Sequence, residues 1–212
     1  MEFRYICTEC KSHYEIKADM LVCPECSQKQ EADKPLRGIL EVELTGSVDD
    51  NFDVFDLLPV ERRYFPDIPV GNTPLQRSDN LCKSMGFSNL YLKNDTLNPT
   101  GSLKDRASFL VAAFAKREGI KDIVVASTGN AASSMAGVGA SADLDITIFV
   151  PKAAPPAKLV QSLQYGAKVI TVDGNYDMAF DMSMEYAVKT GALSRNTAFN
   201  PLTIEGKKTV AI

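Results

Sequence analysis

Asn98-Pro99-Thr100-Gly101-Ser102-Leu103-Lys104-Asp105-Arg106 stands between an apolar, β-prone segment, Leu90-Tyr91-Leu92, and a helix-prone run that reaches Arg117 before Gly119. Asn, Pro and Gly make the first half of this stretch a turn, and Ser102 is placed to cap the helix that follows. Lys104 then falls in the first helical turn, where the macrodipole disfavours an ammonium ion and so favours a nucleophilic amine. Junctions between strand and helix are also where a parallel α/β sheet opens to ligands. The residues alone allow two readings. One is a reactive lysine facing a crevice; the other is a solvated helix start in which Lys104, Asp105 and Arg106 carry surface ion pairs.

The next unit repeats the arrangement. Ile123-Val124-Val125-Ala126 reads as a strand, Ser127-Thr128-Gly129-Asn130-Ala131 as a turn, and residues 131–142 as a helix of small side chains. Backbone N–H groups and hydroxyls at such a helix start make an anion-binding turn suited to a carboxylate. A plain helix entry capped by Asn130 is the alternative. A strand at 146–150, a helix at 156–165 before Gly166, a strand at 169–172 and a helix at 176–189 continue the alternation. This pattern predicts an α/β fold, a parallel sheet with helices on both faces. In the last helix Ala179, Met182, Tyr186 and Ala187 share the face expected to be buried. Gly137-Val138-Gly139-Ala140-Ser141-Ala142 fits a loose dinucleotide-binding pattern. It lies inside a helix rather than at its opening, and no acidic residue follows about twenty positions on, so its glycines are expected to serve close helix packing.

Toward the amino end, Cys7-x-x-Cys10 and Cys23-x-x-Cys26 supply four thiolates at the spacing of a zinc ribbon. Residues 1–34 are too few and too polar to fold on hydrophobic burial, so a structural Zn2+ is expected to supply much of their folding energy. Four cysteines leave no open position for a catalytic metal. His13, the only histidine, is surplus to the site and expected at the surface, and a single histidine makes a Ser-His or Cys-His hydrolytic centre a poor fit. Cys82 is expected to be a small buried hydrophobe. Residues 35–81, with prolines at 59, 66, 69 and 74, read as an irregular arm belonging partly to the large domain. Residues 82–190 form the α/β domain that carries the lysine, and 191–212 the start of a second domain. The apolar element opening at Glu205 ends without a cap or polar tail, which predicts a truncated chain.

Composition narrows the partners. The 212 residues are 45% hydrophobic and 24% charged, enough for a sizeable core, and the formal net charge is -4. An acidic balance without a basic tract argues against nucleic acid. No apolar run is long enough to span a bilayer and no secretory signal opens the chain, so no membrane partner and a cytoplasmic location are expected.

N-P-T-G-S-L-K-D-R at 98–106 and S-T-G-N at 127–130, in that order and one βα unit apart, resemble the paired loops of fold-type II pyridoxal-phosphate (PLP) enzymes. The zinc ribbon and the L-K-D-R form of the motif are most similar to threonine synthases. Gly71-Asn72-Thr73-Pro74-Leu75 and Glu205-Gly206-Lys207-Lys208-Thr209 are also typical of that family, so the resemblance covers nearly the whole chain. Leu103 replaces the usual phenylalanine and Ala107 a frequent glycine, which loosens the subfamily rather than the cofactor.

The resemblance implies a tryptophan synthase β-like fold and a PLP-dependent lyase that turns O-phosphohomoserine and water into threonine and phosphate, a step of threonine biosynthesis. It implies that Lys104 carries the cofactor as a Schiff base and moves protons, with Ser102, Asp105 and Arg106 supporting it. It implies further that Ser127, Thr128, Gly129, Asn130 and Ala131 hold the substrate α-carboxylate, and that Asn130 also meets the cofactor's 3′-oxygen. Family members are often homodimers. Cysteate synthase, cysteine synthase and threonine dehydratase share both loops, and a zinc-ribbon interaction protein on a vestigial α/β domain is the reading from another class. The family's phosphate cradle and pyridine-nitrogen partner lie beyond Ile212, so these 212 residues alone are expected to bind PLP weakly and to be inactive.

Overall fold

The computed structural model describes residues 1–31 and 34–212. At the amino end β1 (Glu2–Cys7) pairs antiparallel with β2 (His13–Tyr14) on one side and β3 (Leu40–Thr45) on the other. A single helical turn, α1 (Pro24–Ser27), carries Cys26. Pairing of β1 with β3 draws residues 40–45 into the amino-terminal module, past residue 34 where the sequence pattern places its end. Ala32 and Asp33, inside that expected ribbon, lie outside the described residues.

Leu75–Arg77 (β4) and Tyr91–Lys93 (β5) flank α2 (Asp79–Met85) and pair with each other in a two-stranded antiparallel ribbon. The strand expected near residue 91 is therefore present but stands outside the parallel sheet, and Tyr91 and Leu92 are exposed.

The main body follows as α3 (Lys104–Glu118), β6 (Asp122–Ala126), α4 (Asn130–Ser141), β7 (Asp145–Pro151), α5 (Val160–Gln164), β8 (Lys168–Val172), α6 (Tyr176–Thr190), β9 (Leu193–Ser194) and α7 (Leu202–Lys207). Its four strands are all parallel, in the order β8-β7-β6-β9. Alternate residues of β6 and β7 enter two cores. Ile123, Val125, Ile146, Ile148 and Val150 face α3 and α4, whereas Val124, Ala126 and Phe149 face α6. Burial on both faces explains why these strands read as near-continuous apolar runs.

Several expectations shift in detail. Residues 156–165 divide into a 3-10 turn (Pro156–Lys158) and the short α5. On α6 the buried line is Ala179, Ser183 and Ala187, spaced by four, while Met182 is 42% exposed. Residues 191–212 do not stand apart: β9 pairs with β6, and α7 packs on α3. That packing requires Gly206, because an added Cβ would lie 2.5 Å from the Arg106 carbonyl oxygen.

Helices α3 and α4 are buried almost all round, which their alanine, serine and glycine content allows by letting the axes approach closely. The Ser134 hydroxyl donates to Ser108 Oγ at 2.7 Å between them. Their amino ends, which carry the two loops, are thereby fixed on a rigid base. Gly139 serves the same purpose against the sheet, its missing Cβ leaving room for Ile146, as the sequence reading of these glycines expects.

Candidate active site

Asp105 shapes the lysine loop. Its carboxylate is fully buried and accepts the Thr100 backbone N–H at 2.7 Å and the Thr100 hydroxyl. These bonds fold residues 100–105 into a compact turn, and Gly101 reverses the chain at φ 82°, a conformation open to glycine at little cost. Ser102 Oγ accepts the Lys104 N–H at 3.2 Å, satisfying one of the free donors at the helix start. Thr100 in turn leans on α4, where a Cβ at Gly137 would come within 2.6 Å of Thr100 Cγ2. Gly137 is thus a packing glycine that seats the lysine loop.

Arg106 is buried and pairs bidentately with Asp95, Nε at 2.8 Å from Oδ2 and Nη2 at 2.9 Å from Oδ1. Nη2 also donates to the Thr73 hydroxyl at 3.0 Å, and Nη1 to the Thr209 carbonyl at 2.9 Å. The guanidinium holds the Asp95 carboxyl below the usual carboxylate range. Gly71 N–H donates to Asn98 Oδ1 at 2.9 Å, so residues 71–73 are tied to the loop at two points. Of the two readings of Lys104-Asp105-Arg106, neither a surface pair nor full solvation describes Asp105 and Arg106, which are interior supports. Lys104 is half-buried, and its Nζ makes no hydrogen bond or ion pair among the described residues.

At the second loop Ser127 Oγ accepts the Gly129 N–H at 3.1 Å. Helix α4 begins at Asn130 with Gly129 in the cap position and no side-chain cap. The capping role open to Asn130 is therefore not taken, and its side chain stands exposed at the first helical position. An added Cβ on Gly101 or Gly129 would meet nothing within 4 Å, so the backbone of both loops borders open space.

The four ribbon cysteines converge, with their Sγ atoms all within 4.8 Å of one another. Cys7 to Cys26 is 3.8 Å and Cys10 to Cys23 is 3.7 Å. A tetrahedron with metal–sulfur bonds of about 2.3 Å has edges of about 3.8 Å, so the cluster has the dimensions of a metal site. Tyr14 Oη lies 3.2 Å from Cys23 Sγ, and the Ser12 hydroxyl beside Cys10 draws that thiol down to about 6. His13 is exposed and sits by Glu43; Cys82 is buried in α2.

Sequence reading passes over Arg195. It is 2% exposed and follows the two-residue strand β9, with its N–H donating to the Val124 carbonyl at 2.8 Å. The available signal was an arginine directly after Ala192-Leu193-Ser194, the same strand-end position that Ser127 occupies after β6.

A parallel sheet flanked by helices, with the small-residue pair α3 and α4 packed closely on one face, is the fold of type II PLP enzymes. The chain belongs to the family of pyridoxal-phosphate dependent enzymes, whose family model matches residues 67–212. It is similar to the threonine synthase of Methanocaldococcus jannaschii, 40% identical over 142 residues, covering 66% of this chain and 35% of that protein. The threonine synthase of Halalkalibacterium halodurans is 41% identical over 142 residues, covering 66% and 40%. Among solved structures, the processed form of threonine deaminase isoform 2 from Solanum lycopersicum superposes with a TM-score of 0.63 at 24% identity, covering 73% of this chain and 44% of that one; it shares the fold. The chain thus spans about 35–40% of the length of the two curated relatives. No helix among the described residues is long and apolar enough to cross a membrane.

The residues present fit the family's cofactor. The Lys104 amine has no hydrogen-bond or ion-pair partner among the described residues, and a Cβ at Gly101 or Gly129 would meet nothing within 4 Å, so neither the amine nor the two turns is filled by the protein's own side chains.

Proposed function

We propose that this chain belongs to a threonine synthase, which converts O-phosphohomoserine and water to threonine and phosphate. The reading rests on similarity to threonine synthases together with one observation: the Lys104 amine has no partner among the described residues, while its neighbours Asp105 and Arg106 are engaged in holding the loop.

Bound pyridoxal phosphate supplies an electron sink that weakens the bonds at the substrate Cα. The protein's own residues orient the substrate and move its protons. Backbone N–H groups of Gly129, Asn130 and Ala131, with the Ser127 and Thr128 hydroxyls, receive the α-carboxylate at the start of α4. The Asn130 side chain, free of any capping duty, would meet the cofactor's 3′-oxygen. Lys104 Nζ would hold the cofactor, and as an amine beside the reacting carbons it would be the base that takes protons from Cα and then Cβ. Phosphate leaves Cγ with the electron pair of its C–O bond, the protons taken from Cα and Cβ return to Cα and Cγ, and water gives its hydroxyl to Cβ and its proton to the departing phosphate. Ser102, Asp105 and Arg106 keep Lys104 in reach of these carbons. The four cysteines hold a structural Zn2+, and the enzyme works in the cytoplasm on a small amino-acid substrate.

The test is phosphate release and threonine formation from O-phosphohomoserine by the full-length gene product with PLP added. Equal yields of both products are expected from the wild type and none from Lys104→Ala. Threonine made by that variant would remove Lys104 from the mechanism. A cofactor bound covalently without threonine formed would move the assignment to cysteate synthase or another β-replacing relative.

A further inference from the structure

A guanidinium carries five N–H donors and stays charged, so removing it from water is costly unless acceptors meet it. Arg195 is only 2% exposed, yet Nη1 alone has a contact, the Thr197 hydroxyl at 3.4 Å. Nε and Nη2 meet no acceptor among the described residues. Burial lowers the group to about 10. Nε and Nη2 form the side-on edge of the guanidinium, the edge that takes two oxygens of one carboxylate or phosphate.

Arg195 is one of the residues lining a cavity of about 430 Å³, together with Ser127, Ala131 and Thr197. One wall is therefore the amino end of the twelve-residue α4, where free backbone donors already favour an anion. Asp177 is the one acidic residue in the lining; it is exposed and makes no ion pair with Arg195 among the described residues. Lys207, half-buried, has its ammonium disfavoured by burial and then by the charges of Arg195 and Lys104. Glu205 pairs with Lys208 instead. Arg195, Lys104 and Lys207 thus bring positive charge to one region, and none of the three is in an ion pair among the described residues.

We propose that Arg195 is the receptor for a phosphate monoester dianion, gripped between its Nε–Nη2 edge and the start of α4, and that this dianion is the phosphate of the substrate. The second half of the statement rests on the threonine synthase reading. The cofactor's own phosphate is the other source of the same chemistry. In the reaction, the group held by Arg195 is the one that departs from Cγ, and a fixed cation there neutralises the charge gained as the C–O bond breaks.

Arg195→Met keeps much of the side-chain volume and removes an unpaired buried charge, so the variant folds; Lys207→Gln is the companion with less structural consequence. Three quantities are measured on the full-length protein: calorimetric binding of inorganic phosphate, KM for O-phosphohomoserine, and PLP affinity by absorbance titration. For Arg195→Met, phosphate binding is expected to weaken about 10- to 100-fold, as loss of charge-assisted hydrogen bonds implies, and KM to rise in parallel. Lys207→Gln gives a smaller change in the same direction, and PLP affinity stays within about twofold of the wild type. Collapse of PLP affinity with KM unchanged would assign the dianion to the cofactor and overturn the substrate assignment. All three quantities unchanged would remove Arg195 from anion binding altogether. Should the wild type make no threonine, the threonine synthase reading fails while the phosphate titration still decides the role of Arg195.

Discussion

The buried carboxylate of Asp105 accepts both the backbone N–H and the hydroxyl of Thr100, five residues earlier in the chain. One side chain thereby closes the turn that presents Lys104. Replacing it tests whether the lysine is held or merely adjacent. Asp105→Asn exchanges a charged acceptor for a neutral one with a donor of its own, and is expected to cost about 1.5–3 kcal/mol. Urea unfolding of the full-length protein reads the stability, and the cofactor absorbance band reads the geometry. An unchanged band and midpoint would mean that the loop keeps its shape without Asp105.

Arg106 and Asp95 are 3% and 11% exposed at their side chains, which puts them among buried ion pairs. Removing one partner strands the other, so Arg106→Met is expected to destabilise by about 3–5 kcal/mol. Asp95→Asn in the same chain should restore part of that loss, because the stranded charge is gone. Denaturation of the two single variants and the double variant measures the coupling, and simple additivity would refute a direct pair.

The pair also sets an acid limit. The Arg106 guanidinium depresses the Asp95 carboxyl in the folded protein, whereas the unfolded chain titrates it near the ordinary value of about 3.9. Stability from the pair is fully present above that value and is lost as pH falls through the lower folded pKa. Thermal melts between pH 2 and 6 are expected to show a shallower acid limb for Asp95→Asn than for the wild type. Parallel limbs would mean that other carboxylates govern acid unfolding.

The sulfur cluster predicts a metal-dependent module. Cys10 is the exposed member, so a strong chelator gains entry there and Cys10→Ser opens the tetrahedron. Elemental analysis is expected to return one zinc per chain in the wild type and less in the variant. After chelation, backbone hydrogens of β1 and β3 exchange quickly while those of β6 and β7 stay protected. Uniform exchange would show instead that ribbon and α/β core unfold together.

Periodicity and loop chemistry carried the parallel core. The runs at 123–126 and 146–150 and the small-residue helix between them read correctly because burial on both faces leaves no competing pattern. The two turns before α3 and α4 were equally legible from their glycine and hydroxyl residues. What pairs with what was not. Leu40, Val42 and Leu44 alternate with polar residues as a half-buried strand should, but the surrounding prolines suggested an arm, and the partner strand lies about 40 positions away. Tyr91-Leu92 gave a strand with no hint that its partner would be antiparallel. Arg195 escaped notice because a two-residue strand has no period, and because burial of an arginine is a property of its surroundings.

Arg106 donates to the carbonyl of Thr209, a residue 103 positions further along the chain. On a ribosome adding about 5–20 residues per second, that acceptor arrives roughly 5–20 s after the arginine has been made. Until then the nascent lysine helix carries an unanswered donor and lacks the α7 surface that covers it. Lys104 is therefore made well before the helix that carries it is locked, and a prematurely terminated message would release a chain with the lysine loop still loose.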